Sequence, residues 1–418
     1  MDVHCFGVEP ITCHAWNKDH TEVALCPNNA DVQLYKREAG GGWSRGQTLS
    51  RHDLRVTSID WAPRSNRIVT CAADRNAYVW TLGSEEPGTN ATVWTPTLVL
   101  LRINRAATCV RWSPLENKFA VGSGAKLVSV CYFEEDHNWW VSKHIKKPIK
   151  STVTSVDWHP NNCLLACGST DFRTRVFSAY IKEVDSTPQP TPWNDKSPSF
   201  GSLVAELSAS GIGWVHSVCF SGDGTRLAWV GHDSSVCVAD AQRGQAITCV
   251  RTQYLPFLSC LWVSPTRLLL AGYDCYPMVY EYSNGQLSFV DKLDKSQRKE
   301  VDGVSAMRKF LNMDKHAMES RGDTLLDTAH QNAITLVTLV QGDRDNATRV
   351  CTQGMDGRLI LWDIKKRKIS TEPINLRLMN RHGHPHEGLQ PHLPLLLLGE
   401  VRESGKGCSD NVISGIVA

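Results

Sequence analysis

The sequence predicts an all-β chain of seven blades closed into a β-propeller, with one helical insertion between blades 6 and 7. Three observations carry this reading. A strand-length motif recurs seven times, its copies are spaced at a near-constant interval, and two more short strands separated by a turn follow each copy.

The motif is clearest in Val56-Thr-Ser-Ile-Asp-Trp61-Ala-Pro63 and Val153-Thr-Ser-Val-Asp-Trp158-His-Pro160. Looser copies are Ala107-Thr-Cys-Val-Arg-Trp112 and Val215-His-Ser-Val-Cys-Phe220. Ile11-Thr-Cys-His-Ala-Trp16, Phe257-Leu-Ser-Cys-Leu-Trp262 and Ile334-Thr-Leu-Val-Thr-Leu339 complete the set. Each alternates apolar and polar residues, as a half-buried strand does. A small-residue strand, a turn and a third strand come next: Ile68–Asp74 leads to Ala77–Trp80, and Leu164–Asp171 to Thr174–Phe177. The last copy ends in Gly357-Arg-Leu-Ile-Leu-Trp362-Asp363. From Trp16 to Trp61 is 45 residues, to Trp112 a further 51 and to Trp158 a further 46. Four strands per roughly 40–45 residues is the WD-repeat period, so the fold is expected to be a seven-bladed WD-repeat β-propeller over residues 1–364. A closed ring leaves no long sheet edge exposed. Since the seventh copy lacks an outer strand, Val3–Phe6 is expected to supply it against the Gly357–Trp362 strand.

Composition narrows the function classes. Lys+Arg 45 against Asp+Glu 43 leaves a formal charge of +2, which argues against a nucleic-acid or membrane-surface binder. The apolar stretch near Leu393–Leu398 is far short of the roughly 20 residues that span a bilayer. No basic start and apolar h-region follow Met1, so no signal peptide is expected, and the 15 Cys read as small buried hydrophobes, among them Cys71, Cys109, Cys219 and Cys237.

Residue sets that resemble catalytic or metal sites have structural readings. His52, Thr70, Asp74 and Trp80 fit a buried hydrogen-bond network of the kind WD repeats carry. The acids Asp171, Asp233, Asp274 and Asp356 recur blade after blade, whereas a catalytic acid is needed once. Paired Cys-x-x-Cys sets, a nucleophile elbow and phosphate-binding glycine loops are missing, so no enzyme activity and no cofactor are expected. His382, His384 and His386 share one side of an extended segment but have no ordered neighbours in prospect. Gly40-Gly41-Gly42 reads as a turn.

Three segments stand apart from the repeat. Lys143, Lys146, Lys147 and Lys150, after Trp139 and Trp140, form either a solvated loop or a docking groove for an acidic peptide. An insertion at about 182–210 is rich in Pro, and its Trp193 and Phe200 either anchor it or meet a partner. A second insertion, about 295–321, has helical spacing. Val304, Met307, Phe310, Leu311 and Met318 fall largely on one side, and a propeller has no spare core for that stripe. The helix must therefore either lie on the rim or project, and projection as a partner contact is the expectation. Residues 365–418 carry no repeat and are expected to be a disordered tail; its first residues, Lys365-Lys366-Arg367-Lys368, read as a nuclear signal or a soluble start.

Specific strings go further than the repeat. Cys26-Pro-Asn-Asn29, Asn138-Trp-Trp-Val-Ser-Lys143-His-Ile-Lys146-Lys147-Pro-Ile, Asp171-Phe-Arg173, Ser305-Ala-Met307-Arg-Lys-Phe310-Leu-Asn-Met313-Asp and His330-Gln-Asn332 make residues 1–364 resemble subunit 1 of the actin-related protein 2/3 complex. The resemblance implies a non-catalytic, cytoplasmic subunit of the actin cytoskeleton. It would pack against the other small subunits and actin-related protein 2 in the assembly that nucleates branched filaments. By the same resemblance the second insertion contacts the mother actin filament, which falls here on Met307, Phe310, Leu311 and Met313. The subunit also helps to receive the acidic tail of nucleation-promoting factors, and the charge of Lys143, Lys146, Lys147 and Lys150 places that role on them. Family members end soon after the last WD strand, whereas this chain continues to Ala418. The rival reading is an adaptor for a ubiquitin ligase or chromatin complex, working through the top face around the channel.

Overall fold

The computed structural model describes residues 1–84, 92–194, 198–209, 211, 213–294 and 326–365. The chain divides into two units, Met1–Ser370 and Thr371–Ala418; the second lies outside the described residues, as do His382, His384 and His386.

Seven four-stranded antiparallel sheets form the propeller. Six are simple meanders, each starting from one of the recurring strands: Cys13–Trp16, Val56–Ala62, Ala107–Trp112, Val153–Trp158, Val215–Phe220 and Phe257–Trp262. The seventh begins at Ile334–Gln341 and takes its outer strand from the other end of the chain. Asp2–Cys5 pairs with Arg358–Asp363, placing Val3 opposite Ile360 and His4 opposite Leu359. The ring is thus closed by the N-terminus as expected, one residue earlier than the sequence suggested. Gly41, at φ +86°, makes the turn read from the three glycines.

Burial follows position within a blade. Second strands such as Leu164–Ser169 are buried throughout, because blades cover them on both sides. Outer strands such as Ala246–Arg251 keep most side chains in water. The core accordingly lies between blades, as in the cluster joining Val238 of blade 5, Trp262 and Leu268 of blade 6 and Trp362 of blade 7. Inner strands of blades 2 to 7 share a register shift near their start, for example between Val56 and Ser58 and between Val153 and Ser155. The extra residue twists the strand. In blades 3 and 4 it also reaches the next blade: Thr108 Oγ donates to the Val153 carbonyl at 2.6 Å and Thr154 Oγ to that of Val215 at 2.5 Å.

Blade 2 binds its polar set internally. Trp80 Nε1 donates to Thr70 Oγ at 3.0 Å, Thr70 lies 2.8 Å from His52 Nε2, and His52 Nδ1 lies 2.8 Å from Asp74. One donor per link is satisfied if the threonine hydroxyl donates to Nε2 and the neutral imidazole donates from Nδ1. His330, Asp356, Thr352 and Trp362 repeat this arrangement in blade 7. Three of the recurring turn acids behave like Asp74, whereas Asp233 accepts the Ser235 hydroxyl at 2.7 Å. Asp74, Asp171, Asp274 and Asp356 each accept the backbone N–H of the segment entering the blade, at Asp53, Lys150, Leu255 and Gln331.

Two expectations need correction. Cys237 and Cys249 are not separate thiols: they stand opposite each other in adjacent strands and are joined by a disulfide. Of the other described cysteines, all but Cys5 and Cys109 are buried. The first insertion is also shorter than expected, because Leu203–Leu207 is the outer strand of blade 4. Its Trp193 is an anchor, 3% exposed, donating from Nε1 to the Gly224 carbonyl at 2.7 Å. Gly224 sits at φ +75° under the His159 ring, where a Cβ would collide. Phe200 packs, partly buried, on the core of blades 3 and 4.

Burial lowers the pKa of His4, His14, His20, His52, His144, His159 and His216, to about 4 for His14 and His216. The unfolded chain therefore binds more protons than the folded one below the ordinary histidine value of 6.5. Stability is expected to fall as the pH drops from about 6.5 towards 4. Thermal melts at pH 7.5, 6 and 5 should show Tm decreasing along the series; a constant Tm would contradict the burial of these rings.

Candidate partner-binding surface

The chain enters each inner strand at one end of the propeller, here the top face, which also carries the turns between second and third strands. The basic run reaches this face from the outer strand of blade 3, Trp139–Ile145. Beyond it the chain turns at a cis Lys147–Pro148 bond, with Ile149 N donating to the Lys146 carbonyl at 3.0 Å. Ile149 is buried beneath, so Lys146, Lys147 and Lys150 are exposed around an apolar peg.

The four lysines are not equivalent. Lys143 is half-buried: its Nζ bonds Glu183 at 3.0 Å and stands 5.2 Å from the Tyr132 ring centroid. The Glu183 carboxyl is held below its usual range by its own backbone N–H and then by Lys143. Lys143 thus contributes little free charge. Among the described residues no carboxylate forms an ion pair with Lys146, Lys147 or Lys150. Three cations on one short loop make an attractive surface for carboxylates, screened by salt.

The aromatic partner differs from the one adjacent in sequence. Trp139 is 57% exposed, but it lies at the far end of its strand from Lys146, about 23 Å away at 3.3 Å per residue. Trp140 is buried. The exposed ring next to the lysines is Phe172, 50% exposed, in a turn fixed from below. Asp171, its neighbour, accepts the Lys150 N–H at 2.8 Å and also accepts from buried Arg175, whose Nη1 lies 2.9 Å from each carboxylate oxygen. Phe172 itself sits at a positive φ of 66°. Sequence reasoning missed it, although Asp171-Phe172-Arg173 was already a marked string.

Met307, Phe310, Leu311 and Met313 lie outside the described residues. What the structure shows is where that segment leaves and returns. The last outer strand of blade 6, Gln286–Lys292, runs to the top face, where Leu293 N donates to the Pro277 carbonyl at 2.9 Å. The chain rejoins there with Ala329 N donating to Asp294 at 2.7 Å and with buried His330. Both feet of the insertion are therefore held close together on the face that carries the lysine loop.

At the opposite end, Asp157 of blade 4 accepts two bonds from Arg344 of blade 7, at 2.7 and 2.8 Å. Among the described residues no group of three His, Cys, Asp or Glu side chains is placed to hold a metal ion, and no helix is long and apolar enough to cross a membrane.

Comparison with known proteins agrees with this architecture. The family model for the WD domain, G-beta repeat, matches residues 43–81 and 133–178. Actin-related protein 2/3 complex subunit 1A-A of Xenopus laevis is 56% identical over 367 residues, covering 87% of this chain and 97% of that protein. Subunit 1B-A of the same organism is 51% identical over 379 residues, 90% and 100% of the two chains. Subunit 1 of Schizosaccharomyces pombe is 42% identical over 372 residues, 84% and 96%. Identity at this level, running through all seven blades, leaves one conclusion: the chain belongs to the family of actin-related protein 2/3 complex subunit 1.

Proposed function

We propose that this protein is a non-catalytic scaffold subunit of an actin-related protein 2/3 complex, working in the cytoplasm on the actin cytoskeleton. It holds the other subunits on the propeller, contacts the mother filament through Met307, Phe310, Leu311 and Met313, and helps to receive nucleation-promoting factors on the lysine loop. The observation that carries this reading is the 56% identity to a named subunit of that complex across 97% of its length. Two features support the finer assignments. An insertion with an apolar helical stripe has no core to enter, so its apolar side is suited to a partner. The loop of Lys146, Lys147 and Lys150 offers unpaired charge beside Phe172, the combination that suits an acidic segment bearing an aromatic residue.

Both assignments are tested in the assembled complex. Phe310→Asp is expected to reduce branch formation at least about tenfold, the loss of one buried aromatic anchor, while the complex still assembles. Lys146→Glu with Lys147→Glu should instead weaken binding of an acidic activator peptide, with the difference shrinking at high salt. Unchanged branching by the first variant removes the filament contact; unchanged peptide affinity in the second removes the lysine loop.

A further inference from the structure

Among the described residues, two pairs of cysteines stand directly opposite each other in adjacent strands: Cys13 with Cys26 in blade 1, and Cys237 with Cys249 in blade 5. Both members of the first pair are buried and remain thiols. The second pair is bonded, and its two sulfurs have unlike surroundings.

The alternation of the outer strand, Ala246–Arg251, sets the side on which Cys249 lies. Thr248 Oγ donates to the Gly285 carbonyl of blade 6 at 3.0 Å, and Val250 packs on the core shared with that blade. Ile247, Cys249 and Arg251 therefore take the other side of the strand, where all three are exposed. Cys237, in the strand beside it, is fully buried in the core of blades 4 and 5 with Leu207 and Trp229. The bond thus has one sulfur at the solvent and one in the core. Arg251 adds a cation to the exposed side. Its Nε donates to the Asp233 carbonyl at 3.2 Å, and among the described residues no carboxylate forms an ion pair with it.

A thiolate attacks the sulfur it can reach, so a disulfide with an exposed sulfur exchanges with soluble thiols where a buried one resists them. A guanidinium beside the site attracts an anionic thiol and stabilises thiolate at Cys249. Glutathione, which carries two carboxylates, has that chemistry. The cytoplasmic setting proposed above supplies it, whereas the reactivity belongs to the pair itself.

We propose that Cys237 and Cys249 form a thiol–disulfide exchange site for glutathione, with Cys249 as the sulfur attacked and Cys237 as the resolving thiol. Glutathione thiolate bonds to Cys249 Sγ, and the disulfide breaks with its electron pair going to Cys237 Sγ, which takes up a proton. A second glutathione thiolate attacks the glutathione sulfur of this mixed disulfide. Cys249 leaves as a thiolate that is protonated in turn, and glutathione disulfide is released. Two electrons and two protons thus pass to the protein from two glutathione molecules. In the reverse direction Cys237 expels glutathione from Cys249 and restores the bond. The exchange sets how firmly the outer strand of blade 5 is held, covalently when bonded and through strand pairing and its contacts with blade 6 when reduced.

The test uses the purified full-length chain, equilibrated without oxygen in glutathione buffers running from oxidised to reduced. Thiols are mapped by differential alkylation and mass spectrometry. Cys237 and Cys249 are expected to pass together from bonded to free across the series, while Cys13 and Cys26 remain thiols throughout. In Cys237→Ala, which lacks the resolving thiol, glutathione on Cys249 should accumulate about tenfold over the parent. Amides of 246–251 should exchange with solvent about tenfold faster in the reduced parent than in the bonded one, with those of Val153–Trp158 unchanged. A pair that stays bonded in reduced glutathione, or free in oxidised glutathione, would overturn the proposal. So would glutathione held on Cys237 instead, oxidation of Cys13 and Cys26 to the same extent, or equal exchange of 246–251 in the two states. None of these readouts depends on what the propeller binds.

Discussion

Replacing Asp185 by alanine is expected to destabilise the propeller by about 3–5 kcal/mol, the cost of leaving a buried charge without its partner. Lys118 is fully buried and pairs with Asp185, whose side chain is 2% exposed. Burial lowers the Lys118 pKa, and Asp185 opposes that shift. The same carboxylate accepts from Asn162 at 2.9 Å, Asn117 at 3.2 Å and the Ile181 N–H at 2.8 Å. One side chain therefore joins a turn of blade 3, a turn of blade 4 and the start of the first insertion. Its loss strands the ammonium against the Trp158 ring, 5.3 Å from the centroid, and leaves several donors unpaired. A melt should show Tm lowered by on the order of 10 °C. The double variant Lys118→Met with Asp185→Leu removes both charges and should recover much of the loss. Equal melting of Asp185→Ala and the parent would contradict this role.

Removing residues 1–8 should have an effect of similar size by a different route. Four residue pairs with Arg358–Leu361 disappear, and the third strand of blade 7 becomes an open edge. Side chains go too: Trp43 Nε1 donates to His4 at 3.2 Å, Phe6 packs on Tyr35 and Trp43 at 4.8 and 5.5 Å between ring centroids, and Asp2 bonds Arg349 at 2.5 Å. The aromatic contacts join blade 7 to blade 1, so the ring opens at the blade built from both ends of the chain. A Tm decrease on the order of 10 °C, with aggregation through the exposed edge, is the expected result. An unchanged melt would mean that Asp2–Cys5 is dispensable for closure.

The elements legible in the sequence were those the fold repeats. Trp61, Trp112 and Trp158 mark inner strands because every blade solves the same packing problem, and the recurrent turn acids declared themselves structural by recurring. Closure was legible by subtraction, since blade 7 lacked a strand and the N-terminus had one to give. Local signals failed where partners are distant. Trp193 is an anchor only because Gly224, 31 residues on, presents its carbonyl. Cys237 and Cys249 are joined because strand register sets them face to face, and composition carries no register. Leu203–Leu207 was hidden by the Pro-rich stretch before it. At the candidate site the charge of the lysine run was plain. Its surroundings were not: strand geometry carries Trp139 away from the loop, and pairing across blade 4 brings Phe172 in. The bond from Arg344 to Asp157 spans 187 residues and leaves no trace in either segment.

The central claim, that this propeller is a platform within an actin-nucleating assembly, is tested most directly by isolating the tagged full-length chain from cytosol and identifying what comes with it. Recovery of two actin-related proteins together with the smaller subunits, in constant proportion, is the predicted result. A folded propeller recovered without them, or with ubiquitin-ligase or chromatin components in their place, would contradict it.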